Sequence, residues 1–376
     1  MTRAWCGAPA TATVRGMTGV DDRGTDWETM RGILARVAVG PRGSRDLDRA
    51  EAGRAMRLCL DRGASDIQIA VFLIAMRLKR ETEAENLGFL DALVGASHVV
   101  VADTPAVVSL ADPYDGGIRA PHAAPLIAAT LAACGLPTVV HGAWTTAPKF
   151  GLTARQVLEA RGLKLAIGGG RASVESAAER LAERGVAYVD VEDFCPPLHA
   201  LADIRREIAK RVCLATLEKL VTPLRGREST HLVAGYVHTG YETLIATIAA
   251  DLGLASALVL EASEGHVDPW VHRDTSSLLW RAGGQPEILP LQPKSYGLLI
   301  SERPVWPELD AAAVAEIWEE ALHRKRRTPV GQALRLVAGA ILFQTGRAST
   351  VMRGVGMAHQ ALTSGGAREK LTAFGA

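Results

Sequence analysis

Cysteines are few in this sequence, and none of them forms a pair. Of 376 residues only five are cysteines, scattered singly, with no C-x-x-C pair and no histidine at metal-ligand spacing: Cys6, Cys59, Cys134, Cys195 and Cys213. Paired-cysteine zinc motifs and thioredoxin-like redox motifs are therefore excluded. Single cysteines are typical of reduced, mostly buried side chains. We expect a cytoplasmic protein.

Long apolar runs and an excess of one charge are also missing. The longest apolar stretch, residues 123–140, is interrupted by Gly135 and Pro137 and is shorter than the ~20 residues of a membrane-spanning helix. Residues 1–27 lack the apolar block of a secretory signal, and we expect a disordered tail there, with Met17 as an alternative start. The net charge of +1 gives no general attraction to nucleic acid or membranes. Membrane binding is not expected, and any anion site must be local.

What is present indicates two parts. Residues 28–96 have apolar positions at helical spacing, and Ser65 with Gln68 and Thr82 with Glu85 fit capping boxes. Residues 67–76 are apolar nearly all round, which predicts a buried central helix. From residue 97 short β-branched runs alternate with helical stretches, at 98–102, 138–141, 164–167, 187–191, 231–237 and 257–260. We predict a helical domain over 28–96, joined by a returning segment near 197–223, and an α/β domain over 97–376 with a mostly parallel sheet.

The first candidate site is the loop at 111–121. Its two glycines before a helix beginning near Pro121 would let backbone amides approach a phosphate, which the helix dipole also favours. The predicted ligand-binding residues are Asp115, Gly116, Gly117 and Arg119. An ordinary tight strand-to-helix connection has the same composition and is the alternative.

The second candidate site follows the predicted strand 138–141. Its loop contains His141, Gly142, Thr145 and Lys149, at the end of the strand where open α/β sheets bind ligands. His141 is either an acid–base group or a hydrogen-bonded structural residue. Trp144 is either a stacking surface or a buried anchor. A third glycine-rich stretch, 168–170, lacks the lysine and hydroxyl of a P-loop and is interpreted as a connection.

Basic residues form two further clusters. One lies on a predicted helix that includes Arg205, Arg206, Lys210 and Arg211. The other comprises Arg324, Lys325, Arg326 and Arg327, after an acidic helix. Both could contact phosphates. A solvated helix face in the first case, and neutralisation by neighbouring glutamates in the second, are the alternatives.

The order of these features resembles the anthranilate phosphoribosyltransferase family, whose fold is shared with pyrimidine nucleoside phosphorylases. That family has a G-T-G-G-D-G loop where residues 112–117 read D-P-Y-D-G-G, and K-H-G-N-R where residues 140–144 read V-H-G-A-W. Its N-x-S-T hydroxyls have no counterpart at 121–124. Of its paired metal-binding acids, in a G-x-D-E context, Asp268 alone is kept. The resemblance implies a phosphoribosyl pyrophosphate site, Mg²⁺ at Asp268, and Arg205 near an aromatic acid.

A divergent branch of that family, with D-P-Y-D/N-G and H-G motifs, is more similar to this chain. That resemblance implies a homodimer joined through the helical domain, and nucleic-acid binding by Arg119, Lys149, Arg205, Arg206 and residues 324–327. Two hypotheses follow. The first is a phosphoribosyltransferase-like protein that binds a phosphate-bearing ligand but is not a genuine anthranilate enzyme. The alternative is a non-catalytic, homodimeric nucleic-acid-binding protein, and a nucleoside phosphorylase is a further possibility.

Overall fold

The computed structural model describes residues 24–375, apart from 41, 307–308 and 324–326. Helix α1 (Gly24–Val37) opens this part of the chain, so the predicted boundary of the tail at residue 27 falls inside a helix. The remainder of the predicted tail lies outside the described residues. Three more helices follow: α2 (Arg49–Leu60), α3 (Asp66–Lys79) and α4 (Glu83–Gly95).

Both predicted capping boxes are present. Ser65 Oγ accepts from the Gln68 amide at 3.3 Å, and Gln68 Oε1 accepts from the Ser65 amide at 3.1 Å, so α3 begins at Asp66. Thr82 and Glu85 form the equivalent pair at the start of α4. These reciprocal bonds satisfy amides that have no partner within the helix.

Helix α3 is buried on one face only. Ile69, Phe72 and Met76 are fully buried, whereas Ile67 and Leu78 are each 77% exposed. The prediction that this helix is buried all round is therefore wrong. Its apolar composition reflects two different surfaces, one packed against the bundle and one facing solvent.

The α/β part is built on a seven-stranded sheet. The strands are β2 (Ala106–Ala111), β3 (Thr138–Gly142), β4 (Val186–Asp190), β6 (Ser229–Tyr236), β7 (Ser256–Glu261), β8 (Thr275–Arg281) and β9 (Glu287–Leu291), in the order β4-β3-β2-β6-β7-β8-β9. The first five are parallel, and β8 and β9 are antiparallel additions at one edge. Two short strands, β1 (Val100–Val101) and β5 (Leu224–Arg225), pair separately. The predicted mostly parallel sheet is confirmed.

Helices surround the sheet and return to the bundle. In chain order they are α5 (Ala124–Ala133), α6 (Ala154–Ala160), α7 (Arg171–Arg184), α8 (Val191–Phe194), α9 (Pro196–His199), α10 (Ala202–Ile208), α11 (Leu214–Leu217), α12 (Tyr241–Asp251), α13 (Ala311–Ala321), α14 (Pro329–Gln344), α15 (Val351–Ser364) and α16 (Gly366–Thr372). Helices α9 to α11 occupy the segment predicted to return, and α10 packs on α3. Within the described residues, no helix is long and apolar enough to cross a membrane.

Several strand predictions differ from the structure. Residues 164–167 are a loop whose partly buried Leu165 and Ile167 pack against the core without joining the sheet. Strands β2, β8 and β9 were missed by the sequence pattern. Strand β2 is buried from Val107 onward, so its sequence lacks the polar–apolar alternation of a half-exposed strand. Periodicity alone does not distinguish such a short apolar run from part of a buried helix.

Candidate functional site

The loops after four parallel strands meet at one edge of the sheet. Strand β2 ends at Ala111, β3 at Gly142, β6 at Tyr236 and β7 at Glu261. Ligands of open α/β sheets bind at the carboxyl ends of the strands. The ligand-binding positions predicted between 115 and 149 all lie at this edge, and the 3₁₀ turn Ser263–Gly265 extends it.

The two glycines of the first loop are packed against the chain. The amide of Gly117 donates to the Leu152 carbonyl at 2.9 Å, and the Leu152 amide donates back to the Gly117 carbonyl at 2.9 Å. Gly116 has φ +71°, and a Cβ there would lie 2.4 Å from the Gly151 carbonyl oxygen, so the turn requires glycine. The amides of Gly116 and Gly117, which the sequence predicts to bind a ligand, therefore donate to carbonyls of the chain itself.

The next two amides hold a carboxylate of the chain itself. Glu264 Oε2 accepts from the Ile118 amide at 3.1 Å and from the Arg119 amide at 2.8 Å, and Lys149 Nζ donates to Oε1 at 3.3 Å. Burial raises the pKa of Glu264, but the Lys149 ammonium and the Arg119 amide outweigh it, and the pKa is lowered overall. Two amides and an ammonium thus form an anion cradle, occupied by an ionised glutamate at φ +55°.

Asp115 contacts cations of the protein. Its buried carboxylate pairs with the Arg211 guanidinium and lies 3.5 Å from Lys149 Nζ. Arg211 follows α10, and its carbonyl accepts a hydrogen bond from Arg77 on α3. Asp115 therefore links the sheet edge to the helical bundle and fixes the position of Lys149. The Arg119 side chain, by contrast, is exposed.

His141 is enclosed by the fold. Its Nδ1 lies 2.6 Å from the Tyr114 hydroxyl and its Nε2 lies 3.1 Å from Ser109 Oγ. Burial lowers the pKa of His141 to about 3, so the ring is neutral near pH 7. This geometry favours the structural alternative.

The other two predicted residues of this loop also contact the chain. At Gly142 a Cβ would lie 3.2 Å from the Tyr188 hydroxyl. Thr145 Oγ1 donates to the Gly151 carbonyl at 2.9 Å.

The predicted basic residues fall into different environments. Arg205 is buried and makes a two-fold ion pair with Glu218, at 2.6 and 3.1 Å. Arg206 is exposed. Arg327 donates to the Gly297 and Leu299 carbonyls. Residues 324–326 lie outside the described part of the chain.

Two aromatic rings are exposed near the second loop. Trp144 is 49% exposed with the Arg155 guanidinium 5.3 Å from its ring, and Phe150 is 48% exposed with the Arg206 guanidinium 5.9 Å from its ring. The structure thus favours a surface role for Trp144 over a buried anchor.

A buried group of histidines and aspartates was missed by the sequence reasoning. Asp112 Oδ2 lies 2.6 Å from His122 Nδ1, and Asp112 Oδ1 lies 3.1 Å from His266 Nδ1. Burial raises the pKa of Asp112, but the two histidines outweigh it and lower the pKa overall. Burial and the nearby Asp112 raise the pKa of Asp268 to about 7. The predicted metal ligand Asp268 therefore lies near Asp112 and His122.

Lys219 was also missed. Its buried ammonium donates to the Gly235 carbonyl at 2.8 Å and to the Gly265 carbonyl at 3.3 Å, and burial lowers its pKa to about 8. The sequence signals for the buried histidines were present but weak. His122 and His266 lie within the segments 121–124 and 265–268, which are notable in the sequence only because residues of the family motifs are missing there.

The comparisons with known proteins agree with this fold. A glycosyl transferase family's helical bundle domain matches residues 31–97, and its a/b domain matches residues 123–368. The chain belongs to this glycosyl transferase family. The family resemblance seen in the sequence is thereby confirmed.

Individual relatives are distant in sequence. The uncharacterized protein YbiB of Escherichia coli (strain K12) is 28% identical over 334 residues, 88% of this chain and 99% of its own length. An anthranilate phosphoribosyltransferase of Anaeromyxobacter sp. (strain K) is 28% identical over 338 residues, 90% and 95% of the two chains. YbiB fits the divergent branch.

Solved structures share the fold. The anthranilate phosphoribosyltransferase of Thermus thermophilus has a TM-score of 0.68 at 21% identity, covering 88% of this chain and 95% of its own. The Saccharomyces cerevisiae enzyme in complex with PRPP and Mg has a TM-score of 0.71 at 14% identity, covering 92% and 97%. The helical domain plus larger α/β domain is the fold of these enzymes.

Proposed function

We propose that this protein binds a phosphate-bearing ligand of the phosphoribosyl pyrophosphate class at the carboxyl edge of the sheet. The observation that carries the proposal is the anion cradle formed by the Ile118 and Arg119 amides and Lys149, which holds the Glu264 carboxylate. Amides and an ammonium that bind a carboxylate offer the donors that a phosphate needs. The yeast relative of the same fold is a complex with PRPP and Mg.

A ligand phosphate would displace Glu264 from this cradle. Lys149 would keep its contact with Asp115 at 3.5 Å and so stay in position. Arg119, whose amide already contributes, carries an exposed guanidinium that adds positive charge. In a phosphoribosyl transfer these groups would stabilise the departing pyrophosphate.

Anthranilate is a poor candidate for the acceptor. The asparagine and arginine of the family's K-H-G-N-R motif are replaced by Ala143 and Trp144. Arg205, at the position that the resemblance places near the aromatic acid, is paired through both of its terminal nitrogens with Glu218. We therefore propose a different acceptor or a binding function without transfer.

The residues around Asp268 do not fit a magnesium ion held by the protein. Mg²⁺ prefers several oxygen ligands in octahedral geometry. Here Glu264 is bound to two amides and Lys149, and Asp268 has the imidazoles of His122 and His266 nearby. We propose no step through magnesium, and its effect is measured as a separate arm of the experiment below.

The Lys149→Gln variant should bind inorganic pyrophosphate about tenfold more weakly than the wild type. The reason is that one charge-assisted contact of about 1.5 kcal/mol is removed. Calorimetric titration with pyrophosphate and with phosphoribosyl pyrophosphate, each with and without magnesium, measures the effect. Lys294→Gln, an exposed lysine on another turn, is the matched control. Equal affinities for both variants would rule out the cradle as the phosphate site.

The exposed aromatic rings support nucleic-acid binding as a second candidate. Phe150 and Trp144, each accompanied by an arginine, offer stacking surfaces for bases beside the cradle. A labelled single-stranded oligonucleotide, titrated at low and moderate salt in parallel with the calorimetry, separates the two functions. Salt-sensitive oligonucleotide binding without pyrophosphate binding would favour this candidate.

We also propose that the chain forms a homodimer through helix α3. Ile67, Val71 and Leu78 are exposed on the face of α3 that the bundle does not cover, with Ile74 between them partly buried. Apolar residues at this helical spacing on a surface mark an interaction site. A second copy of the chain presents an identical stripe, which a two-fold interface would bury.

Val71→Arg should convert the dimer to a monomer, because a charge buried in an apolar interface has no partner. Sedimentation equilibrium measures the mass. Val101→Arg is the control, since Val101 is exposed outside the stripe. A monomeric wild type, or a Val71→Arg protein that remains dimeric, would contradict the proposal.

The cytoplasm is the compartment that we propose. Cys59, Cys134, Cys195 and Cys213 are free thiols in the structure. Free thiols of this kind persist where glutathione and thioredoxin keep cysteines reduced.

A further inference from the structure

Three side chains from two separate loops converge in the interior beneath the anion cradle. Asp112 follows β2, His122 precedes α5, and His266 follows the 3₁₀ turn after β7. One potential metal-ligand atom from each lies within 4.8 Å of the other two, and all three side chains are buried. The two imidazole rings lie edge to face with centroids 4.1 Å apart.

The donor set differs from that of a magnesium site. Two imidazole nitrogens and a carboxylate oxygen match the mixed nitrogen and oxygen ligands that Zn²⁺ takes in proteins. The Asp112 oxygens lie 2.6 and 3.1 Å from the two Nδ1 atoms, so the three candidate ligand groups already face one another.

The surroundings of His122 suit a metal ligand. A ligating histidine usually donates its other ring N–H to a carbonyl or carboxylate, which fixes the ring. The Gly117 amide donates to His122 Nε2 at 3.0 Å, and the Leu152 carbonyl also lies beside the ring. Because the Gly117 amide also donates to Leu152 at 2.9 Å, it keeps an acceptor when His122 Nε2 carries a proton.

Two polar atoms next to the cluster have no partner among the described residues. They are His266 Nε2 and Asp268 Oδ1, both buried. A buried carboxylate oxygen without a hydrogen bond is costly, and a second carboxylate, Asp112, lies nearby. A dication bound by the cluster would offset the negative charge of both carboxylates.

We propose that Asp112, His122 and His266 bind one Zn²⁺ ion. Burial of the cluster favours a structural role for the ion. The ion would join the loop after β2, which supplies the Ile118 and Arg119 amides, to the loop after β7, which supplies Glu264. It would thereby hold the two sides of the anion cradle in fixed positions. Zinc binding does not require a phosphate ligand.

The test uses the full chain without a histidine tag, stripped with a chelator and reloaded. Elemental analysis should find about one zinc per chain, and zinc should raise the Tm by about 5 °C or more. Cobalt(II) substituted for zinc should show the visible absorption of a tetrahedral site. His266→Ala should lose these signals, while His359→Ala, an exposed histidine on α15, should retain them.

His266→Cys guards against a simple folding defect. A cysteine at this position replaces one ligand by another, so its cobalt form should bind and add a thiolate-to-cobalt absorption band. Metal binding far below one equivalent in the wild type, or unchanged binding by His266→Ala, would overturn the proposal. These titrations contain no phosphate, so a failure here leaves the proposed ligand function untouched.

Discussion

Arg205→Ala should destabilise the fold by about 3–5 kcal/mol. Arg205 is buried, and its two guanidinium nitrogens contact both oxygens of the equally buried Glu218, at 2.6 and 3.1 Å. Removing the arginine leaves an uncompensated buried carboxylate, and burial already raises the pKa of Glu218 while Arg205 opposes that rise. Urea unfolding at pH 7 measures the loss.

Two further variants show whether the lost stability comes from this pair. Arg206→Ala, the adjacent exposed arginine, should change the free energy of unfolding by less than about 0.5 kcal/mol. Glu218→Gln combined with Arg205→Met should recover part of the loss, because no unpaired charge remains. Near-normal stability of Arg205→Ala, together with weaker ligand binding, would contradict this prediction. It would instead support a ligand-binding role for Arg205, as the sequence resemblance implies.

The position of the candidate site was partly predictable, whereas its internal contacts were not. The polar stretch after the predicted strand 138–141 located the loop containing Lys149 at the carboxyl edge, because parallel strands all end there. The loop containing Gly116 was identified by its two glycines before a helix. The same pattern predicted that the loop amides face a ligand. In the structure the amides of Gly116 and Gly117 are used locally, and those of Ile118 and Arg119 are the ones aimed at an anion.

The missed residues depend on contacts between distant parts of the chain. Glu264 lies more than a hundred residues after Arg119, and His266 likewise after Asp112, so no local spacing joins them. Arg205 and Arg211 were both part of one basic cluster in the sequence, yet the fold separates them. Arg205 pairs with Glu218, whereas Arg211 pairs with Asp115. Charge clusters in a sequence therefore indicate possible partners without deciding between binding and internal neutralisation.

The fold itself followed from periodicity and capping. Ser65 and Thr82 begin α3 and α4 as predicted because their side chains satisfy amides locally. Strand β2 was missed because, buried from Val107 onward, it lacks polar alternation, and residues 164–167 resemble a strand although no sheet edge receives them. Local chemistry decides caps, and tertiary packing decides which apolar runs pair.

Glu264→Ala should raise the affinity for pyrophosphate by about tenfold to a hundredfold. In the wild type a phosphate must displace a carboxylate held by the Ile118 and Arg119 amides and by Lys149. Charged hydrogen bonds of this kind contribute about 1.5–3 kcal/mol, and every 1.4 kcal/mol changes the affinity about tenfold. Removing the competing anion leaves the amides and the ammonium available to the ligand.

Calorimetry of wild type, Glu264→Ala and Glu287→Ala with pyrophosphate checks this prediction. Glu287 pairs with Arg281 at the β8–β9 edge of the sheet, so its removal changes net charge equally without touching the cradle. A gain confined to Glu264→Ala would mean that the glutamate occupies the ligand's position and weakens binding by competition. Weaker binding in Glu264→Ala would mean that the glutamate positions Lys149 for the ligand, and equal gains in both variants would reduce the effect to net charge.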